Sequence, residues 1–325
     1  MGVVACAAAA FALVGCAAAG GKKLEASAAR EAPADILIDA GAVFPESVTA
    51  DQAGNIYVGS GHGVVYRAPA GAQVATAWIG ADHLDGLPSI FGVLADDRSN
   101  RLWLCANPDL FAGNGQGRRG VSTLMAFDLA TGARQAAYRF PAGQPGACND
   151  IAVAEDGTVF ATETLAGGIY ALAPGSDALA LWAGGEQLVG VDGIAFAGDG
   201  TMYINNVRQN TMERVERMKD GTFAGLTTLT LSQPVSGPDA LRPLGGDRFL
   251  QAEGTGGRVA LVTIAGDSAT IEPVREGLDS SPAVTRVGNV GYAAEGKIQY
   301  RIDPALQGQD PGPFIIRAFN LPEGL

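Results

Sequence analysis

The sequence predicts an all-β fold. Of its 325 residues, 46 are glycine and 17 are proline, which suits many tight turns better than long helices. Segments such as 55–58 (Asn-Ile-Tyr-Val) space their apolar residues by two, as strands do. No longer stretch carries an apolar stripe with a period of about 3.6 residues that is not interrupted by a glycine or a proline. A helical fold is therefore excluded.

A short pattern recurs along the chain. It is clearest at residues 148–160, where Asn149 opens a short strand, an Asp-Gly turn follows, and a second strand carries Phe160. Glu46 and Asp192 stand at the same distances before a turn glycine and an aromatic residue, and looser copies occur elsewhere. The copies have their first positions at Glu46, Gly92, Asn149, Asp192, Asp239 and Ser281.

Each copy continues into further short strands, so that one unit holds about four strands joined by turns of Gly, Asp, Asn and Pro. Units of this length, without helices between them, are typical of a β-propeller, whose blades stack radially and close a ring. We therefore predict a six-bladed β-propeller over residues 35–325, with four-stranded blades around a central metal-binding channel. Closure requires one blade built from both chain ends, and either residues 35–40 or residues 314–319 could supply the closing strand.

The N-terminus has the composition of an export signal. Residues 1–20 are almost all Ala, Val, Leu, Gly and Cys, and residues 13–16 (Leu-Val-Gly-Cys) resemble a bacterial lipobox, whose cysteine becomes lipidated. No Lys or Arg precedes this apolar run, so ordinary secretion and a retained anchor are the alternatives. We expect residues 1–16 to be a lipoprotein signal and residues 17–34 a flexible tether. The protein would be exported to the cell envelope and lipid-anchored, facing the periplasm.

Charge and cysteine usage limit the partners. A net charge of −12 and a pI near 4.6 argue against nucleic acid, because phosphate binding needs a basic surface, whereas an acidic surface tolerates a bound cation. We expect a monomer that acts on a small-molecule substrate and contacts the membrane only through its lipid. In an oxidising compartment Cys105 and Cys148 could pair, since the repeat puts them near neighbouring ends of adjacent units. Two separately buried thiols are the alternative.

The first position of each repeat is the candidate functional site, because the innermost strand of a propeller blade lines the central channel. Four of these positions offer oxygen ligands, namely Glu46, Asn149, Asp192 and Asp239. Three carboxylates with no Lys or Arg in the set would repel one another, and a divalent cation would relieve this repulsion. Oxygen ligands favour Ca²⁺, with Mg²⁺, Mn²⁺ or Zn²⁺ as alternatives. The simpler interpretation is that acidic residues open strands beside solvated turns.

The four short runs around these positions resemble those of a known protein family. The runs concerned are Phe-Pro-Glu-Ser-Val at 44–48, Cys-Asn-Asp-Ile-Ala-Val at 148–153, Val-Asp-Gly-Ile-Ala-Phe-Ala-Gly-Asp-Gly at 191–200 and Gly-Pro-Asp-Ala-Leu at 237–241. They resemble the SMP-30/gluconolactonase/luciferin-regenerating-enzyme-like family, to which diisopropylfluorophosphatase and the paraoxonases are similar. The resemblance implies a six-bladed propeller with one divalent metal in its channel, and lactonase or related hydrolase activity. By position it implies that Glu46, Asp192 and Asp239 are metal ligands and that Asn149 is a ligand or a substrate contact.

The chain departs from that family at three positions. Asp192 stands where the family usually has Asn, and Ala147 stands where the sugar-lactonases have Arg, which argues against a sugar acid as substrate. Gly92 replaces a histidine of the paraoxonase-like enzymes. The chain has only two histidines, His62 and His83, which could lie over the channel and act as the base but are more simply loop residues.

We therefore predict a divalent-metal-dependent hydrolase of a lactone or similar ester. Asp239 or Asp192 would act as base or nucleophile, Asn149 would donate to the substrate, and Asp150 and Glu163 could assist. The sequence contains no Gly-x-Ser-x-Gly motif. The alternative is a non-catalytic, envelope-anchored binding module with a structural metal, because fold does not decide function. An isomerase or a C–C-bond-forming enzyme also remains open.

Overall fold

The computed structural model describes residues 1–3, 32–111, 120–141 and 146–325. The chain divides into two units, residues 1–31 and residues 32–325, and the second is described below. Most of the expected signal and tether falls on residues 4–31, outside the described residues, so lipidation of Cys16 stays a prediction. In the described ranges, no helix has the length and apolar character needed to cross a bilayer.

Four-stranded antiparallel sheets follow one another along the chain, and their strands are numbered in chain order. Blade 1 consists of β2 (Pro45–Ala50), β3 (Ile56–Ser60), β4 (Val65–Ala68) and β5 (Val74–Ile79). Blade 2 consists of β6 (Ser89–Asp96), β7 (Arg101–Asn107), β8 (Thr123–Asp128) and β9 (Arg134–Arg139). Blade 3 consists of β10 (Cys148–Val153), β11 (Val159–Glu163), β12 (Gly168–Leu172) and β13 (Ala180–Gly184).

The second half of the chain repeats this arrangement. Blade 4 consists of β14 (Val191–Phe196), β15 (Met202–Asn206), β16 (Thr211–Arg217) and β17 (Phe223–Thr228). Blade 5 consists of β19 (Pro238–Gly245), β20 (Arg248–Glu253), β21 (Arg258–Ala265) and β22 (Ser268–Arg275), with β18 (Thr230–Leu231) added in parallel at its outer edge. Blade 6 consists of β23 (Val284–Val287), β24 (Val290–Ala294), β25 (Ile315–Asn320) and β1 (Ile36–Ile38). Helical turns are short, at Ala81–His83, Glu186–Leu188 and α1 (Gln299–Ile302).

Both chain ends build blade 6, as predicted. Strand β1 is its outermost strand and pairs antiparallel with β25, with Ile36 opposite Ile316. The same strand pairs in parallel with β5, where Leu37 lies opposite Val74, so that blades 1 and 6 form one continuous sheet. The two segments that the sequence offered as closing strands thus lie side by side in one blade.

Apolar packing between blades explains the aromatic residue of the repeat. The inner strands β2, β6, β10, β14, β19 and β23 contact one another in ring order. The aromatic side chains of four copies are buried, namely Tyr57, Trp103, Phe160 and Tyr203. The rings of Tyr203 in blade 4 and Phe249 in blade 5 lie 5.5 Å apart. Burying one such side chain stabilises the fold by about 1.5–3 kcal/mol. This packing and the ring of strands confirm the predicted six-bladed β-propeller.

In the described part of the chain, five inner strands contain a β-bulge close to their N-terminal end. The strand pairing shifts register between Pro45 and Ser47, Ile90 and Val93, Cys148 and Ile151, Val191 and Ile194, and Pro238 and Leu241. Five of the six first positions of the repeat lie inside these shifts, and the sixth, Ser281, precedes β23. A bulge leaves residues outside the ladder and re-aims their side chains. The repeated position is therefore a repeated backbone irregularity.

Candidate functional site

Four of the predicted site residues meet at one end of the channel, and we call Glu46, Asn149, Asp192 and Asp239 the acidic ring. Asn149 donates from Nδ2 to Oδ2 of Asp192 at 2.8 Å and to Oγ1 of Thr164 at 3.0 Å. The carboxyl of Asp239 hydrogen-bonds to that of Asp192, and the charge of Glu46 acts on both. The structure thus brings together residues from blades 1, 3, 4 and 5.

The carboxyl groups of the acidic ring are hard to ionise together. Burial raises the pKa of Glu46 from 4.5 to about 7, although the charge of Arg301 opposes this. Burial is also the main reason why the pKa values of Asp192 and Asp239 lie well above their usual range. Asp150 adds a repulsive charge beside Asp192, and Asp192 adds one beside Asp239. The ring therefore needs either protons or a cation.

The donor chemistry of the ring fits a hard divalent cation. Oε1 of Glu46 is buried and has no hydrogen-bond partner among the described residues. Oδ1 of Asp192 is likewise buried, without an N–H or hydroxyl donor from that part of the chain. Unpaired buried carboxylate oxygens are costly, and coordination by a cation would satisfy them.

Hydrogen bonds link the side chains of the acidic ring. In residues 32–111, 120–141 and 146–325, no group of three or more His, Cys, Asp and Glu side chains has the arrangement of a metal site. The reason is that Asp192 faces the amide of Asn149 and the carboxyl of Asp239. Cation binding would require Asn149 to present Oδ1 and the carboxyl groups of Asp192 and Asp239 to give up the hydrogen bond between them.

Asp150 forms a buried ion pair instead of sitting in a solvated turn. Its Oδ2 lies 2.7 Å from Nη1 of Arg242 and accepts a hydrogen bond from the amide of Ile194 at 3.1 Å. Both charged side chains are buried. Arg242 lies three residues after Asp239, further along the same inner strand β19, and there it pairs with Asp150. Nothing in the repeat indicated that an arginine would face the channel there.

Arg301 is a second cation that the sequence did not reveal. It lies on α1, between β24 and β25, and its guanidinium pairs with Asp109 at 2.9 Å. The guanidinium carbon lies 5.6 Å from the ring centre of Phe44 and 4.5 Å from that of Phe111. Its charge lowers the pKa of Glu46, which places it at the same mouth of the channel. An arginine in a connection between strands carries no pattern from which this position could be predicted.

The two histidines differ in position. The ring of His62 lies 5.6 Å from that of Phe44, near the mouth, and partial desolvation together with the charge of Arg301 lowers its pKa, which favours the neutral form. His83 lies on the outside of blade 2, where its carbonyl accepts a hydrogen bond from Arg134 of β9. His83 is a loop residue, and of the two only His62 remains a candidate base.

Glu163 has a structural role rather than an assisting one. Its carboxylate accepts hydrogen bonds from the amides of Ala147 at 3.0 Å, Leu165 at 3.0 Å and Ala166 at 2.8 Å. Burial raises its pKa, while these backbone hydrogen bonds lower it. The carboxylate is therefore fully engaged in holding the two segments that flank the mouth of blade 3.

Cys105 of β7 and Cys148 of β10 form a disulfide, which confirms the pairing that the sequence left open. The bond joins blades 2 and 3 directly beside Asn149. Gly92, in contrast, contributes no ligand to the ring. A side chain at this position would collide with the carbonyl oxygen of Asn149, so the glycine allows the inner strands of blades 2 and 3 to approach.

A cavity of about 860 Å³ opens at the opposite end of the channel. It is lined by the C-terminal halves of β6, β10, β14 and β19 and by Arg98, Arg217 and Arg242. The residues of the acidic ring do not line it. The lining also includes four carboxylates, those of Asp96, Glu155, Asp156 and Asp199, so this end of the channel carries charges of both signs.

Fold and site together define a six-bladed β-propeller with a polar, acidic ring at one mouth of its channel. The sequence model of the strictosidine synthase-like, N-terminal family matches residues 33–68, which include Glu46. No curated protein matches the chain.

Solved structures with the same fold cover nearly the whole chain. Mala s 1, an allergen of Malassezia sympodialis, is 14% identical with a TM-score of 0.67, over 89% of this chain and 96% of that one. A gluconolactonase from Xanthomonas campestris is 15% identical with a TM-score of 0.61, over 89% and 99%. A luciferin-regenerating enzyme is 12% identical with a TM-score of 0.59, over 86% and 92%. The family resemblance noted in the sequence is thus confirmed at the level of the fold.

Proposed function

We propose that the protein is a divalent-cation-dependent hydrolase of a lactone or similar ester and that it acts at the acidic ring. The observation that carries the proposal is the convergence of three carboxyl groups and one amide, in which Asp192 is buried, Glu46 and Asp239 are half-buried, and Oε1 of Glu46 has no partner in the described residues. Such a set is expected to bind a cation and to offer a base beside it.

The four ring residues would share the binding of the cation, and some would have a further role. Glu46, Asn149, Asp192 and Asp239 would hold the cation, which would supply polarisation of the substrate carbonyl. Asp239, or Asp192, would take the proton from the attacking water or attack directly. Asn149 can present Oδ1 to the cation while Nδ2 donates to the substrate. Arg301 would stabilise negative charge that develops at the mouth.

Calcium is the cation that we propose. All four ligands are oxygen donors, which suits Ca²⁺ and, with fewer protein ligands, Mg²⁺ or Mn²⁺. Zn²⁺ prefers nitrogen and sulfur ligands, and neither histidine bonds to the ring in the described structure. The name of the similar gluconolactonase supports a lactone as substrate. Ala147, which replaces the arginine of sugar-lactonases, argues against a sugar acid.

The second candidate is a propeller without hydrolase activity. The partial match to a strictosidine synthase-like family, which spans Glu46, supports a bond-forming reaction in the same channel. The similarity to the allergen Mala s 1 shows that this fold also occurs in a protein whose name specifies no reaction. A binding module whose cation is structural would follow from the same ring.

Metal-stripped protein assayed on a panel of lactones and aryl esters separates these functions. We expect turnover only after Ca²⁺ is restored, and a loss of about 100-fold or more in Asp239→Asn, which removes the base. Asp199→Asn is the matched control, because Asp199 caps the exposed β14–β15 turn through the amide of Thr201. If Ca²⁺ raises the melting temperature but no ester or lactone is turned over, the hydrolase proposal is wrong.

The cellular setting also remains a proposal. We propose an exported monomer anchored by a lipid on Cys16, on the basis of the apolar run and the lipobox-like residues at 13–16. Metabolic labelling with a fatty acid should tag the wild type and not Cys16→Ser. Recovery of unlabelled wild-type protein in the medium would instead indicate ordinary secretion.

A further inference from the structure

Two buried polar side chains occupy the same place in successive blades. Thr162 lies on β11, thirteen residues after Asn149, and Asn205 lies on β15, thirteen residues after Asp192. Both are fully buried. A buried hydroxyl and a buried amide are costly unless they are hydrogen-bonded. Their partners therefore indicate why they are there.

Thr162 connects blade 3 to blade 4. Its Oγ1 accepts a hydrogen bond from the amide of Asp150 at 2.9 Å and donates to the carbonyl oxygen of Asp192 at 2.7 Å. Asp150 directly follows the ring residue Asn149, and Asp192 is the ring residue of the next blade. One hydroxyl thus fixes the backbone at Asn149 relative to the backbone at Asp192.

Asn205 repeats this connection between blades 4 and 5. Its Oδ1 accepts from the amide of Gly193 at 2.7 Å, and its Nδ2 donates to the carbonyl oxygen of Asp239 at 2.6 Å. Gly193 is required here, because a side chain would collide with that same carbonyl oxygen. The two links share Asp192 and its neighbour, so they form one continuous series from Asn149 to Asp239.

The β-bulges explain why both links are needed. A bulge removes residues from the ladder and leaves their N–H and C=O groups without strand partners. When buried, these groups must find other partners. Threonine and asparagine can each accept and donate at the same time, which valine or leucine cannot do. The series therefore satisfies the bulged backbone and determines where the bulged side chains stand.

Glu46 lies outside this series. The residue thirteen positions after it is Gly59, which has no side chain to form a link. On the other side, Asn107 holds the residue before Asn149, because Nδ2 donates to the carbonyl oxygen of Cys148 at 2.7 Å and Oδ1 accepts from its amide at 3.0 Å. The residue after Glu46, Ser47, instead accepts a hydrogen bond from the amide of Val93 in blade 2 at 3.0 Å, a contact that reaches no other ring residue. The series itself therefore links three of the four ring residues.

We propose that Thr162 and Asn205 are positioning residues that set the spacing of Asn149, Asp192 and Asp239 for cation binding. The inference rests on the proposed function, since it assumes that the ring binds a cation. Residues that orient metal ligands affect cation affinity by about 10–100-fold when they are replaced. Each residue touches the backbone of the ring and not the substrate, so its effect should fall on affinity.

Calcium titration calorimetry on the metal-stripped protein tests the proposal. Thr162→Val should raise the Kd for Ca²⁺ by about 10-fold or more, whereas Thr162→Ser, which keeps the hydroxyl, should restore it. Thr49→Val is the matched control, because the buried Thr49 accepts a hydrogen bond from the amide of Ala95 in the next blade, away from the ring carbonyls. Thr162→Val that binds Ca²⁺ as tightly as the wild type, or Thr49→Val that is equally weakened, overturns the proposal.

The outcomes also distinguish this proposal from the hydrolase. Wild-type protein that binds Ca²⁺ but turns over no substrate leaves the positioning role intact and rejects the hydrolase. If the wild type binds no divalent cation, the role in cation binding is rejected. Amide hydrogen exchange at Gly193 in the metal-free protein then tests whether Thr162 holds the ring backbone at all. Thr162→Val should then speed exchange at Gly193, one link further along, and Thr49→Val should not. If the Gly193 amide exchanges at the same rate in Thr162→Val and Thr49→Val, the hydrogen-bonded series does not hold the ring backbone.

Discussion

The arc formed by blades 3, 4 and 5 differs from the arc formed by blades 6 and 1. In the first arc, buried polar side chains connect each inner strand to the next, through Thr162, Asn205 and the Asp150–Arg242 pair. In the second arc, the ring is closed by strand pairing and apolar packing, as between β1 and β25. The part of the molecule that closes the propeller is thus separate from the part that organises three of the four ring residues.

The closing arc is held at its edges by ordinary contacts. The rings of Phe44 and Phe314 lie 5.0 Å apart, and Arg317 of β25 pairs with Asp35 at 2.9 Å and with Glu295 at 2.8 Å. Glu46 belongs to this arc, and its Oε1 has no partner in the described chain. We infer that the carboxyl of Glu46 can turn toward a ligand, whereas the carboxyl of Asp192 is held by Asn149 and Asp239.

The largest expected effect is on stability in the polar arc. Arg242→Met leaves the buried carboxylate of Asp150 unpaired, and breaking a buried pair in this way costs about 3–5 kcal/mol. The double variant Asp150→Asn with Arg242→Met should recover most of that loss, because no buried charge remains. Urea denaturation of both variants measures it. A double variant as unstable as the single one would show that the charge is not the cause.

In the closing arc, Ile38→Ala should cost about 2–4 kcal/mol, because the side chain of Ile38 is buried and its removal leaves a cavity. The comparison predicts that the Kd for Ca²⁺ hardly changes, since this strand lies outside the hydrogen-bonded series. Denaturation and calorimetry on the same sample separate the two quantities. A marked loss of calcium affinity would show that the arcs are coupled.

Removing the disulfide should lower both the free energy of unfolding and the affinity for Ca²⁺. Cys105→Ser with Cys148→Ser opens a link that spans 43 residues, and such a loss costs about 2–4 kcal/mol. Because Cys148 directly precedes Asn149, we also expect weaker calcium binding. The Cys105→Ala with Cys148→Ala pair is the control for the buried hydroxyl groups that serine introduces. Unchanged affinity in both would restrict the disulfide to a role in stability.

A pH dependence of stability is expected at Glu46. Burial raises its pKa from 4.5 in the reference state to about 7 in the fold, so the folded state binds more protons between these values. The stabilisation that protonated Glu46 gives to the folded state is complete below pH 4.5 and is lost as the pH rises through about 7. Metal-free protein should therefore melt at a lower temperature above neutral pH. Glu46→Gln should flatten the profile, and an unchanged profile would assign it to Asp192 and Asp239.

Part of this organisation was accessible from the sequence and part was not. The repeat led to six blades, and its first positions led to Glu46, Asn149, Asp192 and Asp239, which the fold does bring together. The repeat did not predict the role of Gly92. This glycine contributes no ligand and instead lets the inner strands of blades 2 and 3 approach each other. The two histidines could be told apart only by their neighbours.

The sequence by itself determined the strands, their grouping into blades and the register of the ring. Period-two alternation and a tight turn are local properties of the chain that recur in all six copies, and five of the copies carry an aromatic residue in the second strand. Only the tertiary structure decided the placement of Arg242 and Arg301, the disulfide and the links through Thr162 and Asn205. Each of these joins residues from different blades or connections. Their distances depend on how the ring closes and where its strands bulge, which no local pattern encodes.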